Sequence, residues 1–111
     1  MTNFNPNADE YHYHVRTVGC HSTTPNRQAV CNHPDDAGTI VHDLNEVFEW
    51  DHALHVILSF AGIASITPDF LMRLRALKPR AHFTVEVDKL NTALYIKRYC
   101  PSFTIRCTGT N

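Results

Sequence analysis

The sequence predicts one α/β domain, with a largely parallel sheet of about four to five strands and about three helices packed on it. Three observations carry that expectation. Apolar extended runs alternate with amphipathic helical runs along most of the chain. The stretch from 55 to 77, HVILSFAGIASITPDFLMRLRAL, reads without interruption as strand, glycine turn, capped helix start and helix, half of a βαβ unit. The totals agree: 111 residues, 43% hydrophobic and 19% charged, suit one domain with a modest core.

Residues 1 to 10 are polar and rich in Asn, and are expected to be flexible, leaving 11 to 107 as the domain. YHYHVRTV (11 to 18) alternates, with Tyr11 and Tyr13 on one side and His12 and His14 on the other, so it reads as a strand at a sheet edge. In the segment from 20 to 36, Pro25-Asn26 and His33-Pro34-Asp35-Asp36 read as turns. Gln28 to Cys31 reads as a short strand pairing with the first. From 38 to 50, Ile40, Val41, Leu44, Val47 and Phe48 share one helical face, with His42, Asp43, Asn45, Glu46 and Glu49 outward.

The central unit follows. Val56, Ile57, Leu58 and Phe60 are a nearly continuous apolar run, as expected of a strand covered on both faces, and Gly62 ends it. Thr67 is placed to cap the next helix, Pro68 suits its first position, and Asp69 complements the helix dipole. Phe70, Leu71, Leu74 and Leu77 recur at helical spacing, and Pro79 bars continuation. AHFTVEV (81 to 87) alternates as another strand. Asp88 is expected to cap a third helix with Leu90, Ala93, Leu94 and Tyr95 inward, ended by Pro101. Ser102 to Cys107 reads as the last strand, with Phe103, Ile105 and Cys107 on one side.

Ten basic and eleven acidic residues leave a net charge of −1, which is no footprint for nucleic acid or for an anionic membrane. The first residues lack the basic and apolar regions of a signal peptide, and no run approaches a membrane span. A cytoplasmic protein with reduced thiols is therefore expected.

The stretch LSFAGIASITPDFLMRL resembles the core of STAS-like domains, the fold of anti-sigma-factor antagonists and of the cytoplasmic tails of sulfate transporters, and in particular an uncharacterised bacterial STAS-like group. The matching helix start is carried by Ile66, Thr67, Phe70 and Leu74, and the resemblance extends in element order over 38 to 107. It implies a STAS-like mixed sheet and a non-enzymatic regulatory domain that binds a protein partner, kinase-like or sigma/anti-sigma-like, as an antagonist or adaptor in a partner-switching system. In antagonists a serine at this helix start is phosphorylated. Here the matching position holds Asp69, with Ser65 and Thr67 as the nearby hydroxyls, so the partner surface is expected around Ser65, Thr67 and Asp69. No cofactor is expected.

The alternative is a small metal-binding protein using the loop from 20 to 33. Cys20, His21, Cys31 and His33 are ligand types that suit zinc, although C-H-x9-C-x-H lacks the tight paired spacing of structural sites. A Cys20–Cys31 disulfide is the other reading of that loop, in an oxidising setting. Catalytic readings find no motif: Gly62 stands alone without a phosphate loop, and Asp35 and Asp36 look like turn and helix-start residues.

Overall fold

Four strands of the chain lie side by side in one parallel sheet, with a layer of three helices against them. The computed structural model describes residues 10–18, 21–22, 29–50, 55–77 and 83–109. In chain order the elements are β1 (Glu10–His14), β2 (His21–Ser22), β3 (Ala29–Cys31), α1 (Pro34–Trp50), β4 (His55–Ser59), β5 (Ile63–Ile66), α2 (Pro68–Leu74), β6 (Phe83–Val87), α3 (Leu90–Tyr99) and β7 (Ile105–Cys107). The α/β class and the three helices are as expected. The strands, however, divide over two sheets: a parallel one in the order β1-β4-β6-β7 and a small one in the order β2-β3-β5.

Because the strand order of the large sheet advances in one direction, right-handed crossovers put every helix on the same face. The helices accordingly pack side by side, α2 touching both α1 and α3. Val56, Leu58, Phe83, Val85 and Val87 join one core with Ile40, Leu44 and Phe48 of α1, Phe70, Leu71 and Leu74 of α2, and Ile96 of α3. Phe83 is clamped edge-on between Phe48 and Phe103, at ring separations of 5.7 and 5.5 Å. The register sets His12, Ile57 and Thr84 in one row on the opposite face, and His14, Ser59, Glu86 and Arg106 in another. There the His55 ring bonds the Thr84 hydroxyl at 2.9 Å, and Arg106 donates to Glu86 at 2.6 Å.

Several elements depart from expectation. β1 does occupy a sheet edge, but it ends at His14, and Val15–Thr17 tighten into a 3-10 turn that buries Val15 completely. β3 pairs with β2 and β5, not with β1. α1 begins at Pro34, so His33-Pro34-Asp35-Asp36 is a helix start: proline suits the first helical position, and Asp35 and Asp36 sit in the first turn. α2 is helical only to Leu74; bonds from Arg75, Ala76 and Leu77 to the carbonyls three residues back then tighten the chain and still bury Leu77. The inner face of α3 is Ala93 and Ile96, continued by Cys100 at its C-cap, while Leu90 and Leu94 are 49% and 61% exposed. β7 is short, and Phe103 ahead of it enters the core from a turn closed by its N–H on Cys100.

Candidate functional site

The corner expected to carry function is built where β4 hands the chain to α2. Gly62 adopts φ of 80°, the left-handed region that glycine alone enters without strain, and the Arg16 guanidinium lies over it, 3.0 Å from where a side chain would start. Its N–H donates to the Asp88 carboxylate at 3.3 Å, and its carbonyl accepts from Ala29 N–H at 3.3 Å. Asp88 is therefore not the cap of α3. The N-cap is Lys89, without a side-chain bond, and the Asp88 carboxylate is spent on the turn beside it.

Past Gly62 the chain forms β5, a strand that in the sequence reads as part of the turn. Its burial is in-out-out-in: Ile63 and Ile66 are buried, Ala64 and Ser65 exposed. That pattern lacks the alternation by which strands are recognised. Pairing with β3 sets Ser65 beside Val30, and Thr67 N–H continues the ladder by donating to Cys31 C=O at 2.9 Å.

Thr67 then caps α2 as expected. Its hydroxyl accepts from Phe70 N–H at 3.4 Å, with Pro68 opening the helix. The three expected site residues thus separate by role. Thr67 is half-buried and its oxygen is engaged, whereas Ser65 and Asp69 are exposed on either side of it. Met72, one turn after Asp69, is 49% exposed, and the Arg75 guanidinium donates to its sulfur at 3.5 Å. The sequence does not mark Met72, because methionine inside a Leu-rich helical run reads as core. Between β5 and α3 lies a shallow groove of about 200 Å³, lined in part by Ser65, Asn91, Thr92 and Tyr95.

The cysteine- and histidine-bearing loop is described only in part. Cys20 and the side chain of His21 lie outside the described residues. Cys31 is fully buried within the core, and His33 is exposed. Among the described residues no group of three or more His, Cys, Asp or Glu is arranged to hold a metal ion.

A second constellation has no signal in the sequence. Tyr13 of β1 donates its hydroxyl proton to Asp43 of α1 at 2.6 Å. Asp43 was expected to face outward, but this bond draws it in to a half-buried position. Partial burial, and then the Asp43 carboxylate, hold the Tyr13 phenol well above its ordinary range.

Fold and corner together define a small α/β domain, three helices over a four-stranded parallel sheet, that presents an exposed strand-to-helix junction. No protein-family model, curated protein or solved structure matches the chain. Among the described residues no helix is long and apolar enough to cross a membrane.

Proposed function

We propose that this chain is a non-enzymatic, cytoplasmic regulatory domain that binds a protein partner through the β5–α2 corner, as an antagonist or adaptor of the partner-switching kind. The observation that carries the reading is the exposure of Ser65, Asp69 and Met72 around an anchored helix start. The corner is fixed on its inner side by the Thr67 cap, the β3–β5 ladder and the Gly62–Asp88 bond, so its outer groups are held ready at little entropic cost. A half-exposed methionine beside an acidic and a basic side chain is the kind of centre around which interfaces form. The resemblance of LSFAGIASITPDFLMRL to STAS-like domains points to the same helix start and to a kinase-like or sigma/anti-sigma-like partner. Of the two hydroxyls, Ser65 is the one a partner kinase reaches, because that of Thr67 is engaged in the cap.

The test is a photo-crosslinking residue in place of Ser65 in cells, with the same residue in place of Lys97 on α3 as control. A discrete protein adduct at 65, absent at 97 and lost with Asp69→Lys, is expected. Adducts equal at both positions, none at 65, or an adduct indifferent to Asp69→Lys in a folded chain contradict the reading.

A further inference from the structure

The edge strand β1 stands between two grooves that the proposed function does not use. One, of about 500 Å³, lies between β1 and α1 and is lined by Tyr11, Tyr13, Asp43, Glu46 and Val47. The other, of about 570 Å³, wraps around the same strand and takes in His12, His14 and Thr17. Among the described residues no strand pairs with the outer side of β1. An edge of this kind offers backbone donors and acceptors to an added strand, and the grooves match the period-two alternation such a strand would bring.

The lining states the chemistry of the occupant. Two tyrosine rings, the Glu46 carboxylate and that of Asp43, which also accepts from Tyr13, lie with Val47 around the groove and fit a cation with an aliphatic stem, held by charge and by ring faces together. Tyr11 is 36% exposed, and Glu46 pairs with the exposed His42 ring at 3.5 Å. The wider field agrees. The helix PDDAGTIVHDLNEVFEW carries five carboxylates and no lysine or arginine, in a chain whose overall charge is only −1. Although the Arg73 guanidinium lies against Gly38, the carboxylates of α1 give this cleft an acidic side that steers a basic segment toward it.

We propose that β1 accepts an extended, lysine- or arginine-bearing segment of a partner protein as an added strand, with a basic side chain seated between Tyr11, Tyr13, Asp43 and Glu46. This surface is distinct from the β5–α2 corner and does not depend on it.

The test titrates the isotope-labelled full chain with a blocked Val-Lys-Val-Lys-Val peptide, following backbone amide shifts. A glutamate-for-lysine counterpart and a version with proline at the central position serve as controls. The lysine peptide is expected to move the amides of Glu10 to His14 and of Asp43 to Val47, and the glutamate peptide to leave them in place. Tyr11→Ala with Glu46→Gln is expected to weaken binding about tenfold while the rest of the spectrum is unchanged. Central proline, which removes a ladder donor, weakens it too. Asp69→Lys leaves it unaltered, which separates this surface from the corner. Equal response to both charges, shifts centred away from β1, full binding of the proline peptide, or self-association of the chain as the only event at this edge overturns the proposal.

Discussion

Thr67 caps α2 and Tyr13 ties β1 to α1, each through one hydroxyl. The Thr67 cap is written in consecutive residues, Thr67-Pro68-Asp69, so the sequence sufficed to place it. Thr67→Ala is expected to lower stability by about 1 kcal/mol and Thr67→Ser to restore most of it, read from urea unfolding midpoints. Tyr13 and Asp43 are 30 residues apart, and Gly62 and Asp88 are 26 apart. Nothing local signals either pair, which is why Asp43 reads as an outward residue and Asp88 as a cap. Tyr13→Phe deprives a half-buried carboxylate of its donor and is expected to cost about 1–2 kcal/mol. The phenol proton is held more tightly in the folded than in the unfolded chain, where it leaves near pH 10. The stability this brings is therefore complete below about pH 10 and is lost as pH rises further. Burial likewise pushes the buried Cys100 thiol from its ordinary 9.0 up to about 11, with Arg75 drawing it slightly back, so its contribution fades across that interval. Unfolding midpoints from pH 7 to 11 are expected to decline above pH 9 in the native chain, and less steeply above pH 10 in Tyr13→Phe.

At the scale of elements, hydrophobic spacing placed the helices and main strands but misjudged which stripe of α3 faces inward. Leu90, Ala93 and Leu94 form one plausible stripe, and Ala93, Ile96 and Cys100 form another; the leucines are the larger residues, yet the core takes the second. The turn closed by Phe103 N–H on the Cys100 carbonyl, and the bond of the Cys100 thiol to Leu71 C=O at 3.4 Å, tie that second stripe down. Ile96→Ala is expected to destabilise by about 2–5 kcal/mol, and Leu94→Ala to change stability by less than about 0.5 kcal/mol. Comparable losses for both would contradict the assigned face. β5 was illegible for a different reason. Four residues with in-out-out-in burial carry no period, and the partner strand β3 lies in the segment hardest to read. The strand exists because Gly62 turns the chain out of the large sheet. Gly62→Ala forces a side chain into φ of 80° against the Arg16 guanidinium, and is expected to cost more than about 1 kcal/mol and to loosen the corner with it.

For the whole molecule, the α/β class followed from element order alone, since strands separated by helices favour parallel pairing with helical crossovers. The division into two sheets did not follow, because it turns on β2 and β5, each of four residues or fewer. The consequence for function is that β5, in the small sheet, and α2 meet at a corner where Ser65, Asp69 and Met72 reach solvent. Amide hydrogen exchange on the full chain, alone and with the protein captured through position 65, tests the account most directly. Slowed exchange concentrated in residues 64 to 76 is predicted. Slowing confined to other parts of the molecule, with 64 to 76 unchanged, would contradict it.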